Sequence, residues 1–131
     1  KVWDFTAENW IWARPAIDGD KLYVGSLDKH VYALKAADGT RVWTVKVSGP
    51  VRAGAAVADG VVYVATQGMK LHALDAATGV QKWELVARGQ FNATPVVVGN
   101  VVYANAVNNE LLAVDAATGK ELWRYPPNGG G

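Results

Sequence analysis

Short apolar runs alternate with breaks built from Gly, Asn and Asp along the whole chain. The alternation is clearest near the C-terminus. There Thr94-Val98, Val101-Ala106, Glu110-Asp115 and Glu121-Tyr125 are separated by Gly99-Asn100, Asn108-Asn109 and the stretch Ala116-Gly119. Runs of this length, rich in β-branched and aromatic residues and closed by turn formers, predict four short strands joined by hairpins. The inner runs, such as Val61-Val62-Tyr63-Val64-Ala65, do not alternate apolar with polar. A strand that is apolar throughout is covered on both faces. Asp18-Gly19-Asp20 and Asp59-Gly60 supply the positive φ angles of tight hairpins.

The pattern returns every 40 residues. Trp3, Trp43, Trp83 and Trp123 keep that spacing, as do Tyr23, Tyr63 and Tyr103, and Gly39, Gly79 and Gly119. Ala13, Ala53 and Ala93 correspond, and so do Ile17, Val57 and Val97, with no insertion or deletion. A fixed period in this range marks stacked supersecondary units. Small four-stranded sheets covered on both faces are the blades of a propeller. The expected fold is therefore an all-β β-propeller of three four-stranded antiparallel blades plus one extra N-terminal outer strand. Its units are residues 1–8 (an orphan outer strand of a preceding blade), 9–48, 49–88 and 89–125, with 126–131 a flexible tail. A chain that starts at Lys1 is expected to be processed, trimmed or excised from something longer.

Each repeat ends on one phrase, best seen in Ala73-Leu-Asp-Ala-Ala-Thr-Gly-Val-Gln-Lys-Trp83 and Ala113-Val-Asp-Ala-Ala-Thr-Gly-Lys-Glu-Leu-Trp123. Asp75 and Asp115 can accept bonds from backbone N–H groups two residues on, which shapes the turn. Gly79 and Gly119 are expected at φ > 0. Lacking side chains, they leave a flat patch beside Ala73 and Ala113 on which an indole of the adjacent blade can lie. Repeat 1 carries Ala33 and Gly39 in the same places but has Lys35 for Asp and Asp38 for Thr. Asp38-Gly39 is itself a turn-forming pair.

The phrase Ala-x-Asp-x-x-Thr-Gly-x-x-x-Trp, preceded by Tyr-Val or Tyr-Ala strands, resembles the tryptophan-docking motif of pyrroloquinoline-quinone-like β-propeller repeats. The resemblance covers essentially the whole chain. It implies W-shaped blades in which Trp43, Trp83 and Trp123 dock on neighbouring blades with Ala33, Ala73, Ala113, Gly39, Gly79 and Gly119; Trp3 would be an orphan docking residue. Members of the family include quinone-dependent dehydrogenases, and scaffolds of envelope assembly machinery or kinase sensors. The dehydrogenases hold quinone and Ca²⁺ near the axis of an eight-bladed ring, and many cap the quinone with a disulfide.

Composition narrows the choice. Thirteen Lys and Arg balance twelve Asp and Glu, so charge provides no drive toward nucleic acid. No apolar run is long enough for a membrane span. There is no cysteine, which excludes disulfides and thiolate metal sites and fits an extracytoplasmic protein, periplasmic or secreted. Asp18/Asp20 and Asn108/Asn109/Glu110 fall in expected turns and are read as hairpin chemistry rather than Ca²⁺ ligands. His30 is expected as a solvated turn residue and His72 as a satisfied histidine between blades. Ser26 and Ser48 have no base nearby in sequence. No catalytic residue, cofactor or metal is expected. Trp10 and Trp12 either cover the face of blade 1 or form an interaction anchor.

Three blades leave two unlike end faces, so the natural contact is head-to-tail, as a ring or an open filament. Two copies supply six blades. The segment Lys1-Thr6 is expected to exchange or add as a strand between copies. The leading expectation is a non-catalytic scaffold whose partner is protein, either copies of itself or the other blades of a longer propeller. The alternatives are a fragment of a quinone-dependent dehydrogenase, and a binding domain of an envelope assembly factor or kinase sensor.

Overall fold

A computed structural model describes residues 16–51, 54–87, 89–91, 93–106 and 110–125. These form three four-stranded antiparallel sheets. The first holds β1 (Ala16–Asp18), β2 (Lys21–Gly25), β3 (His30–Lys35) and β4 (Arg41–Lys46). The second holds β5 (Ala56–Ala58), β6 (Val61–Ala65), β7 (Lys70–Asp75) and β8 (Gln81–Val86), and the third β9 (Val96–Val98), β10 (Val101–Asn105), β11 (Leu111–Asp115) and β12 (Glu121–Tyr125). In every sheet the strands lie in chain order, so each blade is an up-and-down meander. The innermost strands β1, β5 and β9 neighbour one another from blade to blade. This is the arrangement of propeller blades around an axis. The orphan strand expected at 1–8, and Trp3, Trp10, Trp12 and the tail, lie outside the described residues.

Local chemistry sets the turns. Between β5 and β6, Asp59 and Gly60 take φ of 50° and 76°, as a type I′ hairpin needs. The first strands are shorter than the sequence pattern predicts: β9 starts at Val96, not Thr94. Thr94 instead accepts the Gly54 N–H at 2.8 Å, tying the lead-in of blade 3 to that of blade 2. Each outer hairpin carries a register shift beside the paired Ala and Trp. Ala73 faces Trp83, but Leu74 faces Gln81. The same shift follows Ala33 and Ala113. One extra residue in the outer strand is a β-bulge, which bends the strand and re-aims its side chains.

The cores sit between blades. Val31, Ala33, Trp43 and Val47 of blade 1 and its linker pack with Val62, Val64, Leu74 and Ala76 of blade 2. Leu71, Ala73 and Trp83 pack with Phe91, Val102, Leu112 and Val114. Buried Glu110 is paired inside its blade, meeting Arg124 at 3.2 Å on the adjacent strand. On the other face of blade 1, Val24, Tyr32 and Leu34 form a buried cluster with Leu22. Tyr32 is held there by its hydroxyl bond to Asp28 and by the Arg41 guanidinium over its ring at 5.4 Å.

Candidate functional site

The turn between the third and fourth strands is built from short-range bonds. The Asp75 carboxylate accepts the Ala77 and Thr78 N–H groups at 2.8 and 3.2 Å, and Asp115 accepts those of Ala117 and Thr118 at 2.8 and 3.3 Å. The Gly79 and Gly119 N–H groups reach back to the carbonyls of Asp75 and Asp115. In blade 1 Lys35 has no carboxylate to offer, yet Gly39 N still donates to the Lys35 carbonyl at 2.8 Å. Asp38 takes over the side-chain role by accepting the Thr40 N–H at 2.9 Å. The Thr40 hydroxyl, and then the Thr40 N–H, hold the Asp38 carboxyl below its ordinary range.

Each turn is a shelf for the preceding blade. Trp43 Nε1 donates to the Ala76 carbonyl at 2.9 Å, and Trp83 Nε1 donates to Ala116 at 2.9 Å. Both indoles also lean on a tyrosine of their own blade: Tyr23 with Trp43 at 5.9 Å and Tyr63 with Trp83 at 6.0 Å between centroids. Gly79 and Gly119 lie against the indole rings, closely enough that a Cβ there would stand 2.8 and 2.5 Å from ring carbon. Ala73 and Ala113 face the indole of their own blade rather than their neighbour's. The acceptors Ala76 and Ala116 were missed by sequence reasoning. The available signal was the Ala-Ala pair that each phrase repeats (Ala36-Ala37, Ala76-Ala77, Ala116-Ala117), whose first member carries the accepting carbonyl in blades 2 and 3.

Trp123 is different. It keeps Tyr103 at 6.1 Å in its own blade. It is 46% exposed, against 9% for Trp43 and Trp83. Val96, Val98, Leu122 and Tyr125 of the same blade are exposed with it. Large apolar side chains gathered this way mark a surface that binds another.

Among the described residues, clefts open between blades 1 and 2 and between blades 2 and 3 at repeat-equivalent positions. The larger, of about 500 Å³, is lined by Asp18, Asp20, Tyr23, Gly60 and Asp75 among others. Burial, and then the charges of Asp18, Asp20 and Asp75, raise the Tyr23 hydroxyl above its ordinary range. Among the described residues, no group of three or more His, Cys, Asp or Glu is placed to hold a metal ion. No helix among them is long and apolar enough to cross a membrane.

The histidines divide as follows. His30 is half-buried, with Nδ1 2.9 Å from the Asp28 carbonyl. His72 is buried in β7, and its two nitrogens meet different elements. Nδ1 lies 2.7 Å from Gln81 Oε1, while Nε2 lies 2.9 Å from Ser48 Oγ in the linker between β4 and β5. Burial is the main cause holding this imidazole below its ordinary pKa; nearby Lys70 adds to it, while Gln81 and Glu84 oppose it. The unfolded chain then binds a proton that folded His72 refuses. Stability is present above about pH 6.5 and is lost as the pH falls through the depressed folded value. Urea midpoints measured across this window are expected to fall with pH, and less steeply in His72→Gln.

The family model described as outer membrane protein assembly factor BamB matches residues 1–52 and 27–130. No curated protein sequence matches the chain. Among solved structures, BamB from Moraxella catarrhalis is 26% identical with a TM-score of 0.83, over 94% of this chain and 39% of its own. The quinohemoprotein alcohol dehydrogenase ADHIIG from Pseudomonas putida HK5 is 28% identical with a TM-score of 0.82, over 94% of this chain and 22% of its own. The computationally designed Ika4 protein has a TM-score of 0.86 at 14% identity, over 98% of this chain and 80% of its own, a likeness of fold alone. The chain thus spans well under half the length of the two natural relatives.

Proposed function

The chain belongs to the family of pyrroloquinoline-quinone-like β-propeller repeats, and from that premise we propose that it is a non-catalytic scaffold that binds protein through the outer face of its third blade. The observation that carries this reading is the contrast between Trp123 and its two equivalents. Trp43 and Trp83 are covered by the turn of the next blade, and Trp123 is half open among exposed Val96, Val98, Leu122 and Tyr125. The interface continues one already built twice in this chain, so its occupant is another blade of the same kind. A second copy joined head-to-tail supplies one, giving a six-bladed ring or an open assembly, with repeats 9–48, 49–88 and 89–125 as the units. A longer propeller supplies the same surface within one chain. The family description as an assembly factor supports a protein-binding role and an extracytoplasmic location.

Light scattering tests this. The chain is expected to have a mass above that of one copy that rises with concentration, and Trp123→Lys is expected to return it to a monomer with unchanged circular dichroism. A monomer at all concentrations removes self-association. A mass unaffected by the substitution removes blade 3 as the contact.

The 28% identity with the alcohol dehydrogenase favours a second reading, a piece of a quinone-dependent enzyme. Heat released on titration with pyrroloquinoline quinone and Ca²⁺ would support it, and none is expected.

A further inference from the structure

The pairing of a serine with a buried histidine between blades 1 and 2 has no counterpart at the equivalent positions of the other repeats, Glu8 with Tyr32 and Arg88 with Leu112. Where blade 2 has His72, blade 1 has Tyr32 and blade 3 has Leu112, so the fold does not require an imidazole there. Gln81 Nε2 donates to Glu84 Oε1 at 3.3 Å, which turns Gln81 Oε1 toward the ring. Lys70 in turn holds Glu84 at 2.9 Å. An amide oxygen can only accept, so His72 Nδ1 carries the proton. Nε2 is left with a lone pair aimed at Ser48 Oγ, 2.9 Å away.

Ser48 is exposed while its histidine is buried. Its hydroxyl also meets Thr66 Oγ1 at 2.8 Å. The linker around it is clamped: Val47 N donates to Lys29 O, Gln67 N to Pro50 O, and Val51 N to Ser26 O. Gly49 and Gly68 pass so closely that a Cβ on Gly49 would stand 2.5 Å from the Gly68 nitrogen. A hydroxyl held on an exposed residue and donating to a neutral imidazole, itself oriented by a third group, is the arrangement of an activated nucleophile.

We propose that Ser48 is a nucleophile with His72 as its general base, and that it takes acyl groups from esters or thioesters with good leaving groups. Ser48 Oγ bonds to the carbonyl carbon as its proton passes to His72 Nε2. The bond to the alkoxide or thiolate breaks, and the imidazolium returns the proton to that leaving group. Water, deprotonated by the same imidazole, then releases the acid and restores Ser48. Gln81 is a positioning residue. The proposal leaves the docking role of blade 3 untouched; where Ser48 turns over, the scaffold is no longer non-catalytic.

p-Nitrophenyl acetate is the probe, followed by phenolate release and by peptide mass spectrometry. The chain has two serines, and Ser26 is fully buried; it has no cysteine, so Ser48 reports without a competing thiol. Acetylation at Ser48 is expected, absent in Ser48→Ala and slowed about 100-fold in His72→Ala. The rate should fall as His72 becomes protonated, with Lys70 and Glu84 as the charged groups that tune that titration. Gln81 is exposed, so its variants read the chemistry even where His72→Ala does not fold. Gln81→Glu should accelerate acetylation about tenfold by stabilising the imidazolium, and Gln81→Leu should slow it. Phenolate release in the folded chain that is unchanged in Ser48→Ala, release at the same rate without His72, or identical rates in the two Gln81 variants would each overturn the proposal.

Discussion

Replacing Trp83 with alanine is expected to lower the unfolding free energy by about 4 kcal/mol, and replacing Trp123 by under about 1 kcal/mol. The two indoles share a repeat position and a tyrosine partner. They differ in what lies beyond. Removing Trp83 opens a void against Phe91, Val102 and Leu112 and strips the Ala116 carbonyl of its Nε1 donor. A cavity and an orphaned acceptor add to the lost transfer energy. Trp123 is half in water already, so little is forfeited in the isolated chain. Urea denaturation of the two variants at low protein concentration checks the contrast. Equal losses would mean that the shelf contributes nothing beyond the blade's own packing.

Gly119→Ala is expected to cost about 3 kcal/mol, from two sources that can be separated. The backbone sits at φ 79°, where an L side chain is strained by about 1 kcal/mol or more. The new methyl would also fall 2.5 Å from Trp83 Cδ2, and an indole held by a hydrogen bond and a core cannot withdraw freely. Gly99 isolates the first source: its φ is 58°, and a Cβ there meets nothing within 4 Å. Gly99→Ala should therefore cost only about 1 kcal/mol. In a Trp83→Ala background the steric part of the Gly119 effect should vanish, leaving a coupling of about 2 kcal/mol in the double-mutant cycle. Additive losses would show that the two residues do not oppose each other.

Much of this architecture can be read from spacing. Tyr, Gly and Trp returning every 40 residues, with Gly and Asn between apolar runs, are enough to specify three blades of four strands. Period and turn chemistry are local properties, so a linear reading reaches them. What it misses is relational. The bulge after Ala73 leaves no mark in residue type, because it is a count of residues across two strands. The carbonyl of Ala76 is a backbone group that any residue would carry, and it matters because Trp43 of another blade arrives there. Ser48 and His72 are 24 residues apart and outside the repeated phrase, so only the fold brings them together. The open face of blade 3 was expected from counting neighbours. The buried cluster of Val24, Tyr32 and Leu34 lies on the face of blade 1 that one of the two expectations for Trp10 and Trp12 had covered.

Every Nε1 bond described here runs from one blade to the next along the chain. A protein stitched only to its nearest neighbours behaves as a one-dimensional chain of coupled units, whose cooperativity is set by the strength of each joint. Weakening one joint divides such a chain into blocks that open separately, instead of loosening it evenly. Among the described residues, the two tryptophan seams are thus also the lines along which unfolding can stop, and blade 2 is held by both of them.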